Sequence, residues 1–438
     1  MNYSVVGGKK LSGSVDTNVS KNAAVALLAA SLLNRGETLL KRMPRIEEVK
    51  RLIEVMESIG VTIVWDDSGD MRITPPKTFE LANINRASAE RTRSIALFIA
   101  PLAHMLPSFD LPAPSGCDLG KRSLGSHIDA LATLGISITG NEEAHTYHVE
   151  SNLKNRAARS TEIIMYEASD TGVENVLMAA AKIPGTTTIK FASANYMVQD
   201  LCVFLRHCGV KVEGIGTSTL VVHGLKDIAS DVHGHPSEDP IESMFFISLA
   251  ATTGSEITIK RCPIDFLELE LFTLGHMGLK YSMGESYASE NGHTVLRDVV
   301  IKPSELRSPP EKIAPRPYPG INIDNLPFFV PVATQAKGKT LIHDWVYEGR
   351  AKWYMEMQKL GAKMTMLDPH RVEIEGPTPL HAADIVAPPA LRPATLLLIG
   401  MLAAEGESML RNVYPINRGY ANLSERLKKL GASVEAVE

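Results

Sequence analysis

Cysteine is scarce: the 438-residue chain has four, Cys117, Cys202, Cys208 and Cys262, and none forms a CxxC pair. That spacing excludes a disulfide framework and fits thiols of a reduced compartment. Long apolar runs are also missing. The longest, Ala23 to Leu33 and Ala394 to Ala404, fall short of the ~20 residues that a membrane span needs. Positive charge is not in excess: 45 basic against 50 acidic side chains give a net charge of −5. Neither nucleic acid nor an anionic membrane is an expected partner. The opening Met1-Asn2-Tyr3-Ser4 has no charged stretch leading into an apolar one, so no secretory signal is expected there. GIGTS at Gly214 is no phosphate loop, because no GxxxxGK[ST] is present. An apolar fraction of 44% excludes a disordered chain. The expectation is a cytoplasmic protein of two or three domains, at ~150 residues per domain.

What is present is a repeat. MESIGVTIV around Gly60 returns as LATLGISIT at Gly135, LRHCGVKVE at Gly209, LGHMGLKYS at Gly278, MQKLGAKMT at Gly361 and LKKLGASVE at Gly431. Each copy reads as an amphipathic helix, a left-handed glycine that ends it, and a strand. In the first copy Ile46, Val49, Leu52, Ile53, Met56 and Ile59 keep helical spacing. An earlier half precedes each: an apolar helix, a small break and another strand, as in NAAVALLAASLLNRGETLL, GVENVLMAAAKIPGTTTIK, IESMFFISLAATTGSEITIK and RPATLLLIGMLAAEGESML. These leading helices are apolar nearly all round, which predicts burial inside an α/β domain. Six units divide into two domains of three, 21–237 and 238–438, with residues 1–20 completing the second. The candidate boundary is the polar stretch Lys226 to Asp239.

Repeats place equivalent loops on one side of a fold. Those before the leading helices hold Lys21-Asn22, Arg93, Ser169-Asp170, Asp239 with Glu242, Asp324 and Arg392. Those before the Gly-ended helices include Gly116-Cys117-Asp118 with Arg122, Glu348-Gly349-Arg350 and Asn417-Arg418-Gly419. Helix N-termini carry free N–H groups and partial positive charge. With these cations they predict a site for a phosphorylated or carboxylated small ligand. Each has a plainer reading. A lone Arg at a helix start is usually solvated or paired, and Asp324 in PGINIDNLP reads on spacing alone as a helix N-cap. Free cysteine is commonly buried filler, as Cys202 and Cys208 suggest, whereas Cys117 beside Lys121 and Arg122 could be a reactive thiol of lowered pKa. His233 and His235 have no further ligand near them in the sequence, so no metal is expected.

The six-fold repeat, Lys21-Asn22 before AAVALLAASLL, the GCDLGKR segment with His127 beyond it, and PINRGYANLSERLKKLGASVE together resemble the enolpyruvyl transferases, over essentially the whole chain. The likeness is greatest to the branch that uses UDP-N-acetylglucosamine. The Lys-Ser and Gly-Asn-Ala-Gly-Thr signatures of the branch acting on shikimate 3-phosphate are absent. The resemblance implies two inside-out α/β domains, each of three βαβαββ repeats, with the active site between them. It implies transfer of the enolpyruvyl group of phosphoenolpyruvate to the 3-hydroxyl of UDP-N-acetylglucosamine, the first committed step of peptidoglycan synthesis, without metal or organic cofactor. Lys21, Arg122 and Arg418, assisted by Arg392, would hold phosphoenolpyruvate. Asp324 would take or orient the acceptor proton. Cys117 would act as acid or in product release, and it matches the cysteine that fosfomycin alkylates. Asn22, Arg93, His127 and Ser169 would contact the nucleotide sugar, with Arg350 a weaker addition.

The chain also departs from the family pattern. Asn18-Val19-Ser20 stands where Ser-Gly-Ala is common, and Ser123-Leu124-Gly125 where Pro-Val-Asp is. Asn195-Tyr196-Met197 replaces Glu-Pro-Glu, and Asp170 replaces Val. By the resemblance, which makes the cysteine loop a lid, these changes fall near the lid flanks and the acceptor side. They leave open a different nucleotide or sugar acceptor, or a non-catalytic paralogue that binds a nucleotide sugar.

Overall fold

The computed structural model describes residues 1–113, 124–153 and 159–437. They form two compact units, one of residues 19–237 and one of residues 1–18 with 238–437. Val19 and Ser20 group with 21–237, so the N-terminal arm of the other unit ends at Asn18. The stretch 226–239, the candidate boundary, contains the division at 237/238 and also supplies the strand Val232–Gly234, which pairs in parallel with Thr38–Leu40. The first unit thus closes its own sheet with the last residues before the boundary.

Six sheets are present among the described residues, three per unit, matching six repeats. Most follow one plan: a parallel pair carrying antiparallel neighbours. Thr161–Ile164 runs parallel to Gly185–Lys190, which pairs antiparallel with Thr219–Gly224. Ser12–Asp16 runs parallel to Glu256–Pro263, which pairs antiparallel with Val295–Lys302. The leading helices lie inside. All 14 residues of Pro240–Thr253 are buried, as are nine of the 11 in Lys21–Ser31. Apolar on every side, such helices lose most from exposure and take the interior, while the half-buried sheets lie outside. The fold is therefore the inside-out two-domain α/β architecture of six βαβαββ repeats.

The six repeat glycines 60, 135, 209, 278, 361 and 431 all have φ between 88° and 98°, the left-handed ending that their spacing predicts. Two leading helices are less regular than the other four. In the second repeat the helix is a 3-10 turn, Arg93–Phe98, running into the short Ile99–Ala103; in the fifth it is Leu326–Phe328 into Phe329–Thr334. Pro101, Pro327 and Pro331 lie in these segments, and proline removes a helix donor and crowds the preceding turn.

Three repeats share a close contact. Gly7 faces Gly406, Gly185 faces Gly224, and Gly338 faces Gly376 across paired strands. A Cβ on Gly224 would lie 2.0 Å from the Ile183 carbonyl oxygen, and one on Gly7 would lie 2.1 Å from that of Met401. At both places the strand runs against the C-terminal carbonyls of the leading helix, and only a residue without a side chain fits.

Candidate active site

In the unit 19–237, candidate residues follow directly on helix caps. The Ser20 hydroxyl accepts from the N–H groups of Asn22 (3.1 Å) and Ala23 (3.3 Å), which places Lys21 and Asn22 in the first turn. Thr92 caps Arg93–Phe98 by accepting from Ser94 N, and Ser169 caps Asp170–Ala181 by accepting from Gly172 N. Small hydroxyl caps satisfy otherwise orphaned donors. They also fix the direction in which the next residue leaves the helix.

The pair Asn195-Tyr196 joins two of these helix starts, through Tyr196 on one side and Asn195 on the other. The Tyr196 hydroxyl receives hydrogen bonds from Ser20 Oγ (3.1 Å) and Asn22 Nδ2 (3.3 Å). The preceding residue, Asn195, donates from Nδ2 to Asp170 Oδ2 at 3.2 Å, and Ser193 Oγ donates to Asp170 Oδ1. Lys21-Asn22 and Ser169-Asp170 are thus tied into one network. His127 contacts Thr171 Oγ1 (3.2 Å) and Asn175 Nδ2 (3.1 Å) on the same helix. Burial, with the charge of Arg93 added, lowers its pKa to about 4, so it is neutral at pH 7. A buried neutral imidazole here orients hydrogen-bond partners and is no cation for a phosphate. Glu174, one turn after Asp170, is buried, and Oε1 has no hydrogen-bond partner among the described residues. Burial, then Asp170 and Asp200, raise its pKa well above the usual carboxylate range.

The other unit holds the second group. Asp324 is not a helix cap. It lies in a turn where Asn322 Oδ1 accepts the Asp324 N–H at 2.8 Å, leaving the Asp324 carboxylate to meet arginines. Arg392 Nε and an Arg392 terminal nitrogen each reach Asp324 Oδ2 at 3.4 Å, and Arg350 Nη1 stands 3.7 Å from Oδ1. Arg392 also donates to the Tyr420 hydroxyl at 3.2 Å. Asp239, which caps Pro240–Thr253, has its pKa pushed up to about 6 by burial, eased by Arg392 and reinforced by Glu242.

Arg350 differs from the exposed loop cation that its position suggests. Its side chain is 1% exposed. Nε donates to Asp344 Oδ2 at 2.6 Å, and the same terminal nitrogen donates to Asp344 Oδ1 at 2.9 Å and to the Ile323 carbonyl at 2.8 Å. Tyr354 donates to Asp344 Oδ2 at 2.6 Å. This buried group braces the turn that carries Asp324, which makes Arg350 a positioning residue first. Arg418 follows the short turn Tyr414–Asn417, two residues before Tyr420. Cys117 and Arg122 lie outside the described residues.

Sequence reasoning missed Asp344 and Tyr354, and it singled out Tyr196 and Tyr420 only within motifs, without a role. All are buried, and each acts through partners brought near only by folding. No cluster of metal-ligating side chains occurs among the described residues.

The sequence pattern of the family EPSP synthase (3-phosphoshikimate 1-carboxyvinyltransferase) matches residues 5–427. The chain belongs to this family of enolpyruvyl transferases. Among relatives, the UDP-N-acetylglucosamine 1-carboxyvinyltransferase of Treponema denticola is 32% identical, covering 100% of this chain and 99% of the relative. That of Bacteroides fragilis is 30% identical over 99% of each. Among solved structures, the enolpyruvyl transferase NikO from Streptomyces tendae superposes with a TM-score of 0.84 at 24% identity, over 99% of this transferase and 98% of NikO. An EPSP synthase from Acinetobacter baumannii gives 0.74 at 17% identity, over 99% and 100%. At those identities both structures speak for the fold. No helix among the described residues is long and apolar enough to cross a membrane.

Proposed function

We propose that this enolpyruvyl transferase moves the enolpyruvyl group of phosphoenolpyruvate to the 3-hydroxyl of UDP-N-acetylglucosamine and releases phosphate. The full-length relatives carry that acceptor in their names. The observation that carries the chemistry is the Asp324 carboxylate, directed to Arg392 and Arg350 and not spent on capping a helix.

The acceptor oxygen bonds to C2 of phosphoenolpyruvate while its proton passes to Asp324. The C3 methylene gains a proton, with Cys117 the candidate acid. The resulting tetrahedral phospho-ketal then loses phosphate from C2 and a proton from C3. Lys21, Arg122, Arg392 and Arg418 hold the donor's phosphate and carboxylate, fixed cations that need no reorganisation as charge shifts. Asn22, Arg93, His127 and Ser169 receive the nucleotide sugar. No metal or organic cofactor takes part, and the reaction belongs to cytoplasmic peptidoglycan synthesis.

The test is phosphate release from phosphoenolpyruvate with and without UDP-N-acetylglucosamine, the product being weighed by mass spectrometry. Sugar-dependent release with the enolpyruvyl adduct supports the reading. Asp324→Ala is expected to lower kcat by ~10²-fold or more; near-normal turnover would refute its role. A second reading, a different nucleotide or sugar acceptor, is favoured by one observation: the departures at Asp170 and Asn195 touch each other. No release with UDP-N-acetylglucosamine but release with another nucleotide would establish it. Binding without release under any acceptor would leave a non-catalytic paralogue.

A further inference from the structure

Glu270 is a buried acid that the reaction described above does not use. It lies on the helix Glu268–His276, on the face that also carries Leu271 and Leu274, and is 2% exposed. A carboxyl group taken out of water is costly unless hydrogen bonds replace those it leaves. Burial raises its pKa from the ordinary carboxylate value, and hydrogen bonds from Asn325 and Asn322 oppose that rise. A further leucine would serve the core at this helix position without that cost. What the carboxyl group holds is the turn that carries Asp324. Oε1 accepts the Asn322 N–H at 2.9 Å and the Asn325 Nδ2 at 2.8 Å. One oxygen thus grips both ends of the segment 322–325, with Asp324 between them. Asn322 passes the constraint on, because its Oδ1 accepts the Asp324 N–H at 2.8 Å. Its carbonyl accepts from Asn325 N at 3.0 Å and Leu326 N at 3.1 Å. Arg350 adds a hydrogen bond of opposite sense, donating to the Ile323 carbonyl at 2.8 Å. Asn325 is 0% exposed, and its Oδ1 has no partner among the described residues, so its side-chain amide serves Glu270 alone.

We propose that Glu270 is a positioning residue for the transfer: by gripping Asn322 and Asn325 it sets where the Asp324 carboxylate stands. The inference rests on the reading of Asp324 as the group that takes or orients the acceptor proton, and it names what holds that group in place. A base must stand within hydrogen-bond reach of its proton. Misplacement by ~1 Å costs about a hundredfold in rate. Glu270 acts through the turn and not on the substrate, so its effect on turnover exists only while Asp324 is present.

The experiment is a mutant cycle on the full chain, read by phosphate release from phosphoenolpyruvate with UDP-N-acetylglucosamine, well below each variant's thermal midpoint. Glu270→Leu is expected to lower kcat by about ten- to hundredfold, with both KM values changed far less. Glu270→Gln still offers an oxygen to Asn322 and Asn325 and should keep most of the wild-type kcat. Added to Asp324→Ala, Glu270→Leu should cost nothing further, because the two act as one unit. A merely structural role would cost the same factor in both backgrounds. That result, a wild-type kcat in Glu270→Leu, or a Gln variant as poor as the Leu variant, overturns the proposal. Should Glu270→Leu fail to fold, Asn325→Ala removes one of the two grips; its smaller loss should likewise vanish in the Asp324→Ala background. Hydrogen exchange read by mass spectrometry supplies a measurement that needs no turnover. Amides of the segment 322–324 should exchange about ten- to hundredfold faster in Glu270→Leu than in wild type, and unchanged exchange would overturn the grip itself. Faster exchange in the variant, with no phosphate release even from wild type, would sink the transfer reading and leave the grip standing.

Discussion

Replacing Arg350 with Met would leave the Asp344 carboxylate, 0% exposed, without the guanidinium 2.6 Å away. Of the described contacts, the Tyr354 hydroxyl would remain. Removing one partner of a buried ion pair costs about 3–5 kcal/mol, because the survivor is an uncompensated charge. At ~2–4 °C per kcal/mol for a domain of this size, the thermal midpoint should fall by roughly 6–20 °C. The Ile323 carbonyl also loses its donor, which frees the turn beneath Asp324. The assay is differential scanning fluorimetry paired with phosphate release. The triple variant R350M/D344L/Y354F removes every charge and hydroxyl of the group together. It should recover most of the midpoint, since well-packed apolar replacements of buried ion pairs are commonly neutral or better. Activity should stay low in both variants, because the brace on Asp324 is gone in both. A midpoint within ~2 °C of wild type for R350M would refute the burial argument. Full activity in the triple variant would refute the positioning role.

Acid should weaken the unit 19–237. His104 and His127 are both held down to about 4, chiefly by burial. Each binds its proton more tightly when unfolded, near pH 6.5. Their contribution is therefore complete above pH ~6.5 and falls as pH drops towards 4, by about 3 kcal/mol apiece. His104→Gln should flatten the decline in urea midpoint over that window, and an equally steep decline would count against the assignment. Burial pushes the thiols of Cys202, Cys208 and Cys262 up to about 12. A thiol reagent at pH 7 should accordingly label native protein at Cys117 and all four cysteines only after denaturation; rapid native labelling of Cys202 would contradict this. Fosfomycin with nucleotide sugar should add to the same Cys117, and an unmodified intact mass would argue against a reactive thiol there. Gly224→Ala puts a methyl 2.0 Å from a carbonyl oxygen. It should destabilise by about 1–3 kcal/mol, read as a lowered thermal midpoint, and an unshifted midpoint would show that the strand can move aside.

The repeat glycines were legible because a left-handed helix ending is a local demand that one residue type meets. The all-apolar leading helices were legible for a similar reason: their composition leaves them nowhere but the interior. The stretch Lys226 to Asp239 holds the division between the two units, at 237 and 238; its strand Val232–Gly234 was not legible, because the partner Thr38–Leu40 lies almost two hundred positions earlier. The two interrupted leading helices could have been anticipated from Pro101, Pro327 and Pro331. The position of Arg350 was visible in the sequence, but its burial was not. That depends on Asp344 and Tyr354 meeting it from both sides of its own loop. The local reading of Asp324 as a cap failed because Asn322 binds the turn's N–H instead. Asp170 and Asn195 appeared as separate departures, and only folding brought them together.

The strand Asn2–Gly7 lies between Gly406–Arg411 and Ser433–Val437, and this arrangement dictates an order of assembly on the ribosome. Every sheet partner of the unit 19–237 has been synthesised once residue 237 emerges. The strand Asn2–Gly7 must wait for partners some four hundred positions further on, roughly 20–80 s at the usual pace of synthesis. Throughout that interval it lacks both sheet partners, tethered to a unit that can already be complete. Assembly is then a two-stage event, in which residues 2–7 are made before the unit 19–237 and find their place after it.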